Sequence, residues 1–98
     1  MLLAVDAGNT DTVFGIWQNE EWTHIFRIRS MPDEPSYFYE SKLRLHFLEA
    51  NLAIGDIKTI VLSSVVPPLT PILRTMLTNL FGQTPIVVGP DVYPELKV

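Results

Sequence analysis

The sequence predicts an α/β domain of element order βββαβαβ, in which an antiparallel three-strand meander is fused to a parallel sheet with helices packed on it. Three observations carry this. Three apolar, β-branched or aromatic runs follow one another between residues 2 and 29 with only short polar breaks. Apolar residues recur at three- and four-residue spacing from Leu69 to Phe81. The apolar runs at 57–66 and 86–88 are each reached through a helical pattern rather than a tight turn.

The elements follow in order. Leu2, Leu3, Ala4 and Val5 form a buried strand closed by Asp6, whose carboxylate stands at its C-terminal end. Residues 7–11 make a turn in which Gly8 and Asn9 are the types that most readily take positive φ, and strand two resumes over 12–17. A second tight connection at 18–21 leads to strand three, where Trp22, His24, Phe26 and Ile28 alternate with Thr23, Ile25, Arg27 and Arg29, so it is half exposed. Two prolines and two acids in 30–35 end the meander and make Ser36 the expected N-cap of a helix. Phe38, Leu45, Leu48 and Leu52 fall on one stripe of that helix, with Ser41 in the missing place and Gly55 shortly after its end.

Residues 57–66 read as a strand covered on both faces, with Ser63 and Ser64 near its end and Pro67 and Pro68 stopping it. Leu69, Ile72, Leu73, Met76, Leu77, Leu80 and Phe81 then define an amphipathic helix that Gly82 terminates. Pro85 introduces a last short strand at 86–88, Gly89 and Pro90 close it, and 91–98 read as an irregular tail.

Composition bounds the function. With 98 residues, 47% of them hydrophobic, the chain has room for one domain, covering 1–98. A net charge of −4 offers no broad cationic face, so direct nucleic-acid binding is not expected. The absence of cysteine excludes disulfides, thiolate metal sites and a cysteine nucleophile, and a cytoplasmic setting fits it. No apolar stretch is long enough to span a membrane, and the opening apolar run is too short, and too soon interrupted by Asp6, for a signal peptide.

Ligands of α/β sheets gather beyond the C-terminal ends of the strands, and two polar clusters map there. In the first, Asp6, Gly8, Asn9, Thr10 and Asp11, the glycine permits close backbone approach while successive amides or the threonine hydroxyl can hold phosphate oxygens. Asp6 suits magnesium, a hard cation that bridges nucleotide phosphates. The same residues equally suit an ordinary hairpin. The second cluster, Ser63 and Ser64 ahead of the strong helix, could favour an anion, although strand-end serines commonly satisfy local backbone groups. His24 and His46 lack metal-ligand spacing; Trp17, Trp22, Tyr37 and Tyr39 are expected in the core or at a subunit contact; no catalytic triad can be assembled.

LLAVDAGNTDTVFGIW at residues 2–17 resembles the opening of type III pantothenate kinases, with their Asp-x-Gly-Asn-Thr signature at Asp6, Gly8, Asn9 and Thr10. IVLSSVVPPLT at 60–70 and PIVVGP at 85–90 resemble two further segments of that family, so the resemblance spans nearly the whole chain. It implies a ribonuclease H-like half of the acetate and sugar kinase, actin-like ATPase fold, and transfer of the ATP γ-phosphoryl group to pantothenate, the first step of coenzyme A synthesis. The cofactors it implies are ATP, magnesium and a monovalent cation, potassium or ammonium. Carried over, Asp6 holds the metal, and Asp6, Ala7, Gly8, Asn9, Thr10, Asp11, Thr12 and Val13 form the nucleotide-binding stretch. Ala7 and Asp11 depart from the family's usual residues. The Gly-Ala-Asp-Arg motif that carries the family's general base has no match in the chain, so no catalytic residue is expected in it, and the chain reads as an inactive N-terminal fragment of a longer kinase. Analogy implies a homodimer. Two other functions fit part of the pattern: a sugar or acetate kinase relative sharing only the phosphate loop, and a regulatory or interaction module like the relatives described as Bvg accessory factors.

Overall fold

The computed structural model describes residues 1–89; the expected irregular tail and the closing Pro90 lie outside the described residues. The observed order is β1 Leu2–Ala7, β2 Asp11–Gln18, β3 Glu21–Arg29, α1 Ser36–Glu49, a single 3-10 turn at Ile54–Asp56, β4 Thr59–Ser64, α2 Leu69–Phe81 and β5 Ile86–Val88. The sequence order βββαβαβ is therefore the order of the fold.

All five strands join one sheet in the spatial order β3-β2-β1-β4-β5. The meander pairs are antiparallel, while β1–β4 and β4–β5 are parallel, so the sheet is mixed. β1 is central because its apolar residues can be covered on both faces, Leu3, Val5 and Ala7 on one side and Ala4 on the other. The larger cluster holds the buried side chains of both helices with Phe14, Ile16, Ile60 and Leu62. The smaller one, on the opposite face, is Ala4, Val13 and Val61 with Leu2 and Trp22 against it.

The strand-three alternation stands, with Ile28 buried and Trp22, His24 and Phe26 half-buried. The glycine-rich turn does not use left-handed backbone: neither Gly8 nor Asn9 has positive φ, which falls instead on Asn19 (54°) and Glu20 (65°) in the β2–β3 connection. Those two residues match the right-handed twist of the flanking strands, as two consecutive left-handed residues do in tight hairpins.

Helix α1 departs most from expectation. Pro35, not Ser36, is its N-cap, and Ser36 is the first helical residue. The expected stripe is not the buried one: Leu45 and Leu48 are 54% and 75% exposed, while Tyr39, Leu43 and Phe47 face the core. Apolar residues lie all round this helix, so the sheet selects the face that fits. Tyr39 can be buried because its hydroxyl donates to the Met31 carbonyl and accepts from the Met31 amide, both at 2.7 Å. The helix is also closed by Asn51 (φ 60°), not by Gly55, which sits in the 3-10 turn. The Leu52 and Asn51 amides donate to Phe47 and Leu48 in a Schellman arrangement.

β4 is two residues shorter at each end than expected, although the flanking Ile57 and Val66 remain buried. Helix α2 matches expectation: Leu69, Leu73, Met76, Leu77 and Leu80 are buried, and Gly82 (φ 70°) donates its amide to Thr78 as the left-handed C-cap. Among the described residues, no helix is long and apolar enough to cross a membrane.

Candidate phosphate-binding site

The hairpin between β1 and β2 is held shut by backbone and braced from β3. Gly8 N–H donates to the Asp11 carbonyl at 3.0 Å. A Cβ at Gly8 would stand 3.1 Å from that same oxygen, so the position needs glycine for close approach rather than for a left-handed φ. Asn9 and Thr10 are left exposed at the tip.

Ser30, just beyond β3, clasps this loop. Its amide donates to the Thr10 carbonyl at 2.8 Å and its hydroxyl donates to the Gly8 carbonyl at 2.6 Å. The single hydroxyl proton of Ser30 is thereby used, so in the 2.9 Å contact between the two hydroxyls Thr12 is the donor and Ser30 the acceptor. Val65 N–H takes up the Ala7 carbonyl at 3.1 Å. The carbonyls of Ala7, Gly8, Thr10 and Asp11 are thus occupied, whereas among the described residues no backbone hydrogen bond uses the amides of Asn9 or Thr10. A loop with most of its carbonyls engaged and successive tip amides not used in these bonds is suited to an anion such as phosphate.

Asp6 is half-buried at the end of β1, in register with Val13 on β2 and Ser63 on β4. By the alternation of the strand it lies on the face opposite Val5 and Ala7, which belong to the helix-covered cluster. Ser63 is 2% exposed, and its hydroxyl has no hydrogen-bond partner among the described residues. Ser64, by contrast, is satisfied locally: its hydroxyl donates to the Val66 carbonyl and accepts from the Val66 amide, both at 3.1 Å. The two serines, adjacent in sequence, therefore have unlike roles.

Of the expected nucleotide-binding stretch, Gly8, Asn9, Thr10, Asp11 and Asp6 reach the surface of the hairpin or strand end, while Ala7, Thr12 and Val13 are buried beneath it. Sequence reading assigned no role to Ser30, which looked like the first residue of a loop; the available signal was a serine placed where a meander returns to its first hairpin. His24 and His46 both lie against Phe26, at 6.0 and 4.9 Å between ring centroids. Among the described residues, no three metal-ligating side chains come together. A groove between β3 and α1 gathers Arg27, Arg29 and Lys42 beside Met31, Phe38 and His46, and contains none of the expected site residues. Basic side chains on this edge strand also discourage edge-to-edge pairing.

The family model for type III pantothenate kinase matches residues 2–98. The chain belongs to the type III pantothenate kinase family. It is 37% identical over 98 residues to the type III pantothenate kinase of Halalkalibacterium halodurans and 39% identical over 98 residues to that of Moorella thermoacetica. In both comparisons all of this chain is covered and 39% of the relative, so the chain spans well under half the length of these type III pantothenate kinases. Among solved structures, a putative N-acetylglucosamine kinase from Porphyromonas gingivalis superposes with a TM-score of 0.66 at 18% identity, over 92% of this chain and 34% of that one. The ROK hexokinase of Thermus thermophilus gives 0.64 at 13%, over 90% and 34%. These likenesses establish the actin-like ATPase, ribonuclease H-like fold. Membership of the pantothenate kinase family also removes the alternative of a sugar or acetate kinase relative sharing only the phosphate loop.

Proposed function

We propose that this chain supplies the phosphate-binding part of an enzyme that transfers the γ-phosphoryl group of ATP to pantothenate. The supporting observation is the braced hairpin, which presents the Asn9 and Thr10 amides beside a carboxylate at the end of the central strand. Phosphoryl transfer depends mainly on positioning and on offsetting charge, and a rigid amide loop contributes both. Asp6 offers carboxylate oxygen at the strand end, which fits a hard cation; magnesium bound with nucleotide needs only one or two protein carboxylates because phosphates and water complete its shell. When bound, magnesium would offset the negative charge of the phosphates during transfer. Gly8 sets how closely the loop backbone approaches the phosphates, Asn9 and Thr10 donate to them, and Thr12 and Ser30 hold the loop from beneath. Ala7 and Val13 support it by packing. Asp11 contributes its carbonyl to the closure of the loop.

In this reading no side chain of the chain removes the proton from the pantothenate hydroxyl, and the purified 98-residue chain forms no phosphopantothenate. The monovalent cation, the homodimer and the cytoplasmic setting belong to the same proposal, and no residue here is assigned to the cation. The deciding variant is Asp6→Asn in a longer kinase carrying this chain. Turnover should fall at least about a hundredfold, while stability changes by less than ~1 kcal/mol, because the substitution keeps size and removes charge. A lowered melting temperature with turnover per folded molecule intact would instead make Asp6 a hairpin cap.

A further inference from the structure

Ser63 stands out because its hydroxyl is buried and, among the described residues, without a hydrogen-bond partner. Buried polar groups are nearly always hydrogen-bonded, and one that is not calls for a physical reason. Its neighbour Ser64 shows that this strand end can satisfy a serine locally, through the amide and carbonyl of Val66. Ser63 makes no such bond although it is 2% exposed. Register supplies the reason. In the parallel β1–β4 pair, Asp6 is the Cα partner of Ser63, so both side chains leave the sheet on the same face at adjacent strand ends.

We propose that Ser63 is a positioning residue for Asp6: when a divalent cation and a nucleoside triphosphate occupy the hairpin site, the Ser63 hydroxyl turns to donate a hydrogen bond to the Asp6 carboxylate. One carboxylate oxygen is then held by the serine and the other is aimed at the cation or at a water in its shell. Outer hydrogen bonds of this kind orient metal-binding carboxylates and tune their affinity. A serine suits the position because its small side chain is accommodated between β1 and β5, where Val88 is its other register partner, and a single χ1 rotation redirects its hydroxyl. The proposal rests on the phosphate-site reading above, and its test separates the two.

The experiment measures manganese binding to the 98-residue chain in the presence of ATP by electron paramagnetic resonance, together with the melting temperature of the ligand-free chain. Ser63→Ala should weaken manganese binding about fivefold to tenfold, as for loss of a charge-assisted hydrogen bond, and should leave the ligand-free melting temperature unchanged or raised. Ser63→Thr, which keeps the hydroxyl, should retain the affinity. Unchanged manganese affinity in Ser63→Ala overturns the positioning role, whatever happens to the melting temperature. Equal weakening in Ser63→Thr and Ser63→Ala also overturns it, because packing would then be the cause. Asp6→Asn is the control for the site itself: if it weakens manganese binding while Ser63→Ala does not, the Ser63 role alone fails; if neither does, the site reading fails with it.

Discussion

Ser30 Oγ donates a 2.6 Å hydrogen bond to the carbonyl of Gly8, twenty-two residues earlier in the chain. That bond ties the end of β3 to the hairpin between β1 and β2. The Thr12 hydroxyl, fully buried, depends on Ser30 in turn. Ser30→Ala therefore removes one bond and strands a second donor, at a cost of about 1–3 kcal/mol. Adding Thr12→Val should recover part of the loss, since removing both partners of a buried hydrogen bond costs less than removing one. Denaturant unfolding of the single and double variants measures this, and purely additive destabilisation would refute the coupling.

Gly8→Ala sets two effects against each other. Alanine restricts the unfolded chain, worth about 0.4–1 kcal/mol where the native φ is compatible. Its Cβ would press on the Asp11 carbonyl at 3.1 Å, which is backbone and can yield only by widening the hairpin. Stability should change little while magnesium–ATP affinity drops about tenfold, equivalent to about 1.4 kcal/mol. Calorimetric titration alongside a thermal melt checks both halves, and unchanged affinity would show that the loop does not need its observed closeness.

Leu43 and Leu48 lie on the same helix with opposite consequences. Leu43 is fully buried between helix and sheet, and Leu43→Ala should cost about 2–5 kcal/mol. Leu48 is 75% exposed, and Leu48→Ala should stay within about 0.5 kcal/mol. Equal losses in urea unfolding would mean that the other face of α1 is the covered one.

Tyr39 makes the fold sensitive to alkali. Burial raises its ionisation above the ordinary value of 10.0, with the negative charge of Glu34 adding to the effect and the backbone hydrogen bond to Met31 opposing it. Above that ordinary value the unfolded chain loses the phenolic proton before the folded one does, so the folded state binds more protons and stability falls as pH rises. The contribution is complete below pH about 10 and is lost as pH rises toward the raised value. Melting temperatures should decline through this range, less steeply in Tyr39→Phe, and absorbance at the phenolate band should show one tyrosine ionising late. A titration without a late phenol would remove the effect.

Local pattern was enough for the element order, the buried face and Gly82 cap of α2, the position of the β1–β2 hairpin and the family. Each is written in contiguous residues: a 3.6-residue apolar repeat, a glycine after its last turn, an Asp-x-Gly-Asn-Thr segment between two strands. Only the tertiary structure decided the rest. Helix α1 carries apolar side chains all round, so its inward face was chosen by the sheet and by the Met31 backbone that satisfies the Tyr39 hydroxyl. Gly8 and Asn9 lack the left-handed φ their residue types suggest, because the loop is closed by the Asp11 carbonyl and by Ser30. Ser63 and Ser64 look alike in sequence, yet strand alternation turns one toward the Asp6 face and leaves the other to bond Val66. Such choices depend on partners brought together by strand pairing across 22 to 57 residues, as Gly8 with Ser30 and Asp6 with Ser63 are, and contacts at that separation have no periodic trace in a single sequence.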